Sequence, residues 1–445
     1  MGKLNITFCS FPDFSSNAKP LYEYMKKRYG DQMNFAWAVK SDEMLKKLND
    51  ANIEAYKIGT EEYFEYTKTT DVFFSTHCNI TGERNDKSIY VELWHGISSK
   101  HIGNLSDHMN ESDRNWYDDL RKRIDYIVVP SDFWRVIFAT RFNINYNRTV
   151  SLGYPKLDYF VYSHAKQNLD KVLNLDVSKY SKVIYYMPTF RKGCGREQET
   201  DVNKENLFNL KTYDEEKLFK YLRKNNYLLC IKKHPSEELN MNYLENDNVK
   251  IIKDSILTEK NITLNEIMNA ADLMITDYSS LGIEFVFLNK PVIYLVNDIE
   301  DYKKNRGITF NNSDFWMPGY RVCDIDRLLL SIEESFQANN EFENERKEKR
   351  NLWFGELQDG GCKEICNFLF DGNQLKKNLV HYTDNEILLE KEVKELTSEL
   401  NERKREIRDK DATINGLNDT LEKVFNSKGW RFLEKVRKIN KVFKK

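Results

Sequence analysis

The sequence predicts an α/β protein in which two doubly wound, Rossmann-like domains face one cleft and a helical, coiled-coil tail follows. In the first half, short β-branched and aromatic runs alternate with amphipathic stretches, and this alternation starts again after Tyr180. The runs are apolar without strict polar alternation, which is typical of parallel strands that are covered on both faces. A chain of 445 residues is also too long for one ordinary core.

The predicted strands divide the body into a first domain at residues 1–175 and a second domain at 176–375. The first-domain runs are LNITFCSF, MNFAWAV, DVFFST, SIYVELW, YIVVPS and RTVSLG, and the second-domain runs are KVIYYMPT, YLLCIKKHP, VKIIKD, ADLMITD and KPVIYLV. Helix-like stretches such as Leu21–Tyr29 and Glu43–Asn49 lie between them. Because ligands of such sheets bind at the carboxyl ends of the strands, we expect the functional residues there.

Residues 384–425 are a coiled-coil candidate. Apolar residues recur there at a spacing of three to four, and Arg403 and Lys410 interrupt the seam. The seam consists of Leu389, Val393, Leu396, Leu400, Ile407, Ile414, Leu417, Leu421 and Val424. Such a seam could join copies of the chain into a homo-oligomer. The alternative is a single charged helix packed on the body.

Residues 426–445 predict a basic amphipathic helix. Residues 427–445 contain eight Lys or Arg against one Glu, and Phe432, Val436, Ile439 and Phe443 form one apolar stripe. This combination suits an anionic membrane surface, whereas the alternative is a helix that is solvated or packed on the body. We therefore expect a cytoplasmic protein that is peripheral at the inner face of the cell membrane.

Composition argues against several other classes of protein. The net charge of −2 does not favour a nucleic-acid partner. The seven cysteines include no CxxC pair, and no histidine completes a zinc set, so free thiols are expected. No acidic pair stands at an obvious strand end, and the acidic loop Asp298–Asp301 is better interpreted as solvated. No metal or cofactor is predicted.

The stretch LWHGISSKHIG places chemically active groups where a strand should end. His95 is a candidate general base, since a histidine is partly deprotonated near neutral pH. Gly96 would let a ligand approach the backbone closely. Ser98, Ser99 and Lys100 would add hydroxyl donors and a positive charge suited to a phosphate. Taken alone, a histidine in such a stretch is more often a structural residue in a turn.

Three further strand ends carry cationic or hydroxyl side chains. They are Thr189, Arg191 and Lys192; Lys232, Lys233 and His234; and Asp277, Ser279 and Ser280. The last group precedes a helix that is predicted to run to about Asn289, and the start of a helix favours anions. Together these strand ends predict a polyanionic donor such as a nucleotide diphosphate compound.

Seven motifs, in this order along the chain, resemble one family. They are NAKPLYEYM (17–25), WHGISSKHIG (94–103), GYPKLD (153–158), MPTFRKG (187–193), KKHP (232–235), ITDYSSLGIEFVFLNKPVIY (275–294) and RGITF…MPG (306–319). The chain closely resembles the CDP-glycerol glycerophosphotransferases, which are teichoic-acid and capsule polymerases and primases. The resemblance covers roughly residues 1–370. It implies a GT-B fold and transfer of a polyol phosphate, most simply glycerol phosphate, from a CDP-activated donor to an acceptor hydroxyl, with release of CMP.

The resemblance also implies roles for individual residues. The second domain would bind the CDP donor, and the first would bind a glycan or lipid-linked acceptor, with His95 as base and Asp158 as a second acid–base candidate. Gly96, Ser98, Ser99 and Lys100 would form the acceptor loop. The implied donor and phosphate ligands are Arg191, Lys233, His234, Asp277, Ser279 and Ser280, with Asp277 serving for positioning or ribose contact.

Two departures from the family pattern leave the acceptor and the polyol open. The chain has HGISSK where the family commonly reads HGTPLK, and GYPKLD where GYPRND is common. Both lie in the domain expected to bind the acceptor. The alternatives are a CDP-ribitol-dependent enzyme, a GT-B glycosyltransferase that uses a nucleotide sugar, and a coiled-coil scaffold with an inactive body.

Overall fold

The computed structural model describes residues 3–78, 88–106, 109–189, 206–232, 242–338, 340–371 and 384–442. The chain divides into two compact units, Met1–Leu379 and Val380–Lys445. The first unit contains two parallel sheets, each covered by helices, as the sequence predicts.

The first sheet has seven parallel strands in the order β3-β2-β1-β4-β5-β6-β7. The strands are β1 (Leu4–Cys9), β2 (Met33–Val39), β3 (Ala55–Lys57), β4 (Val72–Ser75), β5 (Ile89–Glu92), β6 (Tyr126–Val129) and β7 (Thr149–Ser151). In the register of the three central strands, Ser75 pairs with both Cys9 and Glu92. The loops that follow β1, β4 and β5 therefore leave the sheet at the same level, where the strand order reverses between β1 and β4.

The second sheet has six parallel strands in the order β10-β9-β8-β11-β12-β13. They are β8 (Lys182–Tyr186), β9 (Tyr227–Ile231), β10 (Val249–Ile251), β11 (Leu273–Thr276), β12 (Val292–Leu295) and β13 (Tyr320–Val322). The sequence patterns located eleven of the thirteen strands in the described residues and missed the edge strands β3 and β13.

Fourteen helices of the first unit cover the sheets in the described part of the chain. They are α1 (Ala18–Tyr29), α2 (Asp42–Asp50), α3 (Glu61–Thr67), α4 (Glu111–Arg123), α5 (Asp132–Phe142), α6 (Asp158–Tyr162), α7 (Ala165–Leu173), α8 (Glu215–Asn225), α9 (Asp254–Glu259), α10 (Ser280–Phe285), α11 (Ile299–Arg306), α12 (Ile325–Ser335), α13 (Glu343–Phe354) and α14 (Cys362–Cys366). The helix predicted to reach Asn289 ends at Phe285 and continues as a 3₁₀ turn, Val286–Leu288.

The end of the second predicted domain packs on the first domain. Cys362, Ile365 and Leu369 belong to the apolar core that contains β1 and β4. A guanidinium nitrogen of Arg28 also donates to Asp371 at 2.6 Å. The chain therefore returns to the first domain after α13, because the apolar face of α14 fills the core beside α1.

A continuous apolar core joins the two domains of the first unit. The indole nitrogen of Trp134 in α5 donates to the Trp353 carbonyl at 2.8 Å, and the Trp316 and Trp353 rings stack with centroids 5.7 Å apart. At a second contact, Ser163 donates to the Glu266 carbonyl at 2.9 Å. These contacts hold the carboxyl edges of the two sheets towards one cleft.

The second unit is helical, as predicted, and is described by itself. A helix of 43 residues runs over Asp384–Asn426, and a terminal helix follows at Lys428–Val442. The described seam residues are exposed, for example Val393 (61%) and Leu417 (60%), as is Phe432 (67%) on the terminal helix. Among the described residues, no helix is both long enough and apolar enough to cross a membrane.

Candidate active site

A cavity of about 770 Å³ lies between the two domains at the carboxyl ends of the strands. The first domain lines it with Phe11–Ser16 after β1, Lys40 after β2, His77 after β4 and His95 after β5. The second domain contributes residues between Asp254 and Asn265. The cavity is therefore in the place that a doubly wound fold favours for a ligand.

One ring nitrogen of His95 donates a hydrogen bond, and the other can accept a proton. Its Nδ1 lies 3.2 Å from the Thr76 carbonyl oxygen, and a carbonyl can only accept, so Nδ1 carries the hydrogen. The Nε2 atom therefore keeps its lone pair. Burial, with a smaller effect of the Lys156 charge, lowers the pKa of His95 to about 4. The imidazole is neutral at pH 7 and can accept a proton.

A second histidine, His77, was missed in the sequence analysis although it also follows a strand. Its ring stacks on His95 with centroids 4.0 Å apart and planes 11° apart, and both histidines line the cavity. Burial first, and then the charges of His95, Lys156 and Lys40, lower the pKa of His77 to about 3. The predicted strand DVFFST stops directly before His77, so the strand-end rule that found His95 would have found it too.

One buried carboxylate fixes the loops that carry both histidines. Glu92, which is fully buried at the end of β5, accepts from the Cys78 backbone N–H at 2.9 Å and from the Trp94 backbone N–H at 2.8 Å. Cys78 directly follows His77, and Trp94 directly precedes His95. Burial raises the pKa of Glu92 to about 7. The carboxylate therefore sets the spacing of the two imidazoles.

A buried ion pair connects the His95 loop with the second domain. Lys156 Nζ donates to the His95 carbonyl at 2.9 Å and lies 2.7 Å from Glu284 Oε1 in α10. The side chains of Lys156 and Glu284 are 7% and 0% exposed. Asn17 completes the arrangement, because it accepts from the Lys156 backbone N–H and donates to the Leu93 and Trp94 carbonyls. Burial raises the pKa of Glu284, and Lys156 opposes that shift.

Gly96 brings His95 close to the predicted donor side of the cleft. A Cβ atom at Gly96 would lie 3.5 Å from both Ser280 Oγ and Glu284 Oε1. At this glycine, the backbone of the His95 loop therefore lies close to α10 of the second domain. Ser279 caps α10, since its hydroxyl accepts from the Leu281 N–H at 3.3 Å. The structure thus brings His95, Gly96 and Ser280 together.

Asp277 joins two strand ends of the second domain. Its Oδ1 accepts from the Thr189 N–H at 2.7 Å and from the Thr189 hydroxyl at 2.6 Å. Thr189 is the last described residue before the stretch that carries Arg191. Arg191, Lys192, Lys233 and His234 lie outside the described residues. Lys232, at the end of β9, forms a 2.8 Å ion pair with Asp254, which lines the cavity.

The remaining predicted residues make contacts that hold the structure. Ser98 and Ser99 are each only 6% exposed, and Ser98 accepts from the Lys100 N–H at 3.1 Å. Arg141 donates to the carbonyls of Ser98 and Lys100, and Lys100 forms a β-bridge with Ile308. Asp158 accepts from the Gly360 N–H at 2.6 Å, and burial raises its pKa to about 6. Asp158 is not among the described residues that line the cavity.

Comparison with known proteins shows which family this chain resembles. A teichoic acid glycerol-phosphate primase of Bacillus subtilis (strain 168) is 27% identical over 337 residues, which cover 73% of this chain and 82% of the relative. A teichoic acid glycerol-phosphate transferase of Staphylococcus aureus (strain NCTC 8325 / PS 47) is 24% identical and covers 80% of this chain and 90% of the relative.

Among solved structures, a variant of the wall teichoic acid polymerase TagF superposes with a TM-score of 0.67. The two chains are 24% identical, and the match covers 84% of this chain and 90% of that one. This likeness confirms the predicted two-domain, GT-B-like fold. The family model for CDP-glycerol:poly(glycerophosphate) glycerophosphotransferase matches residues 2–371, and the chain belongs to that family.

Proposed function

We propose that this protein transfers glycerol phosphate from CDP-glycerol to an acceptor hydroxyl in teichoic acid synthesis and releases CMP. The observation that carries the proposal is the position and hydrogen bonding of His95. Its Nδ1 is held by the Thr76 carbonyl, which leaves Nε2 as the base nitrogen, and the residue lines the interdomain cavity. A poor nucleophile such as a hydroxyl needs a positioned base of this kind.

The reaction is a substitution at the phosphorus that bears the glycerol. The acceptor oxygen attacks this phosphorus while His95 takes the hydroxyl proton. The bond to the oxygen that bridges the two phosphorus atoms breaks, and CMP leaves with that oxygen. The product is a phosphodiester between the acceptor and glycerol, and the proton passes from His95 to solvent. Preorganised donors and cations around the diphosphate would stabilise the charge on the departing CMP.

The low pKa of His95 belongs to the protein without substrate. A base with a pKa of about 4 is neutral at pH 7 but has little driving force for accepting a proton. A bound diphosphate places negative charge beside the ring, and a neighbouring opposite charge favours the imidazolium form. Donor binding would therefore raise the pKa of His95 towards the working pH and would make it a stronger base when it is needed.

The donor would lie on the second domain. Ser280 faces the His95 loop across Gly96, and Asp277 orders the strand end that leads towards Arg191. We assign the donor phosphates to Ser279, Ser280, Arg191, Lys233 and His234. The acceptor would approach from the first domain. Ser98 and Ser99 would contribute by shaping the acceptor loop, because their side chains are almost completely buried.

Nucleotide release from a panel of donors tests the proposal. We expect CMP release from CDP-glycerol in the presence of a teichoic acid acceptor and no UDP release from UDP-sugars. CDP-ribitol tests the alternative of a ribitol-phosphate transferase. Faster CMP release from CDP-ribitol than from CDP-glycerol would identify ribitol phosphate as the transferred group. UDP release would favour a glycosyltransferase, and no release from any donor would favour an inactive scaffold.

We also propose that the second unit attaches the enzyme to anionic membranes. The exposed seam of the long helix would pair copies of the chain, which light scattering would detect as a mass above that of one chain. The terminal helix would lie on the lipid surface. Exposed Phe432 and the neighbouring cationic residues support this role. Each Lys or Arg near an anionic surface contributes about 1 kcal/mol, so the attachment should weaken as salt is raised.

Removal of residues 426–445 should release the protein from anionic vesicles. Activity on a small soluble acceptor should survive, since every proposed catalytic residue lies before residue 300. Activity on a lipid-linked acceptor should fall, because the tail supplies local concentration and no chemistry. Vesicle co-sedimentation of the full chain and the 1–425 form, at low and high salt, provides the measurement. Equal sedimentation of the two forms would leave the tail without a membrane role.

A further inference from the structure

The contact between His77 and His95 has no role in the mechanism described so far. The two rings lie face to face, with centroids 4.0 Å apart and planes 11° apart, and the exposed Phe11 ring meets the His77 ring edge-on at 5.5 Å. Thr76 serves both histidines, since its carbonyl accepts from His95 Nδ1 and its hydroxyl lies 2.8 Å from His77 Nδ1. Glu92 fixes the residues adjacent to both rings.

This geometry does not suit direct proton transfer between the two histidines. In a face-to-face stack the ring nitrogens lie in parallel planes, and their lone pairs and N–H bonds point along those planes. The His77 ring instead covers His95 and keeps water from its face. Two stacked imidazoles also repel each other when both are charged, so the pair can hold one proton more easily than two.

We propose that His77 is a positioning residue that sets the orientation and the base strength of His95. The covering ring maintains the buried environment in which His95 is neutral. It also offers a π face to the imidazolium that forms when His95 takes the acceptor proton. The inference rests on the proposed function, and it adds a residue to which that proposal gives no part.

Other charged groups surround the pair and are unchanged by substitution of His77. Asp13 and Lys40 lie in the loops after β1 and β2, and Glu92 lies beneath both histidine loops. Lys156 contacts the His95 carbonyl and is itself paired with Glu284. Asp13, Lys40, Glu92 and Lys156 therefore remain in every variant, and a change in the titration of His95 can be attributed to the lost ring.

The test compares variants with and without a ring at position 77. His77→Asn removes the ring and keeps a polar group for Thr76, His77→Ala removes both, and His77→Phe keeps a ring that cannot titrate. Without the ring, water reaches His95 and its pKa should rise from about 4 towards the usual value near 6.5. At pH 5.5 only about one-tenth of such a histidine is neutral.

We therefore expect kcat/KM at pH 5.5, relative to pH 8, to fall about tenfold in His77→Asn and His77→Ala. The ratio should be unchanged in His77→Phe. The exposed His164 provides a matched control, and His164→Asn should have the same kcat/KM ratio between pH 5.5 and pH 8 as the unchanged protein.

NMR titration of the His95 imidazole gives a readout that needs no turnover. The pKa of His95 should be raised in the two variants without a ring and unchanged in His77→Phe. An unchanged His95 pKa in both ring-free variants would overturn the inference, and so would an equal shift in His77→Phe. The proposed function fails separately, if the unchanged protein releases no CMP from CDP-glycerol in the presence of an acceptor.

Discussion

Replacing His95 with alanine should lower turnover by about 10²-fold or more, because the acceptor hydroxyl loses the group that takes its proton. Donor binding should stay nearly unchanged, since His95 belongs to the first domain and we assign the donor to the second. His95→Gln sharpens the result. A glutamine amide can still donate to the Thr76 carbonyl but cannot accept a proton at pH 7, so this variant should be as slow as His95→Ala.

The measurement is single-turnover CMP release, combined with calorimetric titration of CDP-glycerol and a thermal unfolding curve for each variant. His164→Ala removes an exposed histidine and should retain full turnover. A folded His95→Gln protein that turns over at the normal rate would eliminate the general-base role.

Lys156→Met should lower the free energy of unfolding by about 3–5 kcal/mol, because it leaves the carboxylate of Glu284 buried without its partner. Glu284 is fully buried and lies 2.7 Å from Lys156 Nζ. The variant should also turn over slowly, since Nζ no longer holds the His95 carbonyl. Urea unfolding at pH 7 measures the loss of stability.

The pH dependence of this loss follows from Glu284. Burial without Lys156 raises the folded pKa of this carboxyl further above its unfolded value. A raised folded pKa means that the folded state binds the proton more tightly, so the stability deficit should shrink as the pH falls through that pKa.

Two further variants separate charge from packing at this pair. Lys156→Met combined with Glu284→Met replaces the pair by apolar groups and should recover most of the stability. Lys156→Arg keeps a cation opposite Glu284 and should stay close to the unchanged protein. Lys57→Met breaks a pair with Asp42 whose side chains are 38% and 77% exposed, and it should cause no measurable change. A Lys156→Met protein as stable as this control would contradict the interpretation.

Much of the fold could be predicted because parallel strands that are buried on both faces leave a strong apolar signal. The runs that became β4, β5, β11 and β12 are fully buried. The motifs predicted the family, and the family model confirms it over residues 2–371. The position of α14 could not be predicted, because a short helix carries no sign of which domain it completes.

The candidate site was only partly predictable, for reasons that lie in the residue types. His95 combines a reactive side chain with a strand end, and the other donor-rich strand ends made it the candidate base. Asn17, Lys156 and Glu284 are far apart in the chain, and each is of a type that usually lies at the surface. Glu92 lies within an apolar run, and a single acidic residue in such a strand is usually taken to point outwards to solvent. Only the folded chain shows that these four residues support His95.

A crystal structure of this protein with CDP-glycerol bound would show directly whether His95 is placed to act on a hydroxyl beside the donor phosphates. We expect the donor on the second domain with its diphosphate between His95 and Ser279–Ser280, and we expect Arg191 and His234 to contact the phosphates. Room for an acceptor hydroxyl should remain between His95 Nε2 and the phosphorus that bears the glycerol. A nucleotide bound against the first domain, or a diphosphate out of reach of His95 through one hydroxyl group, would contradict this expectation.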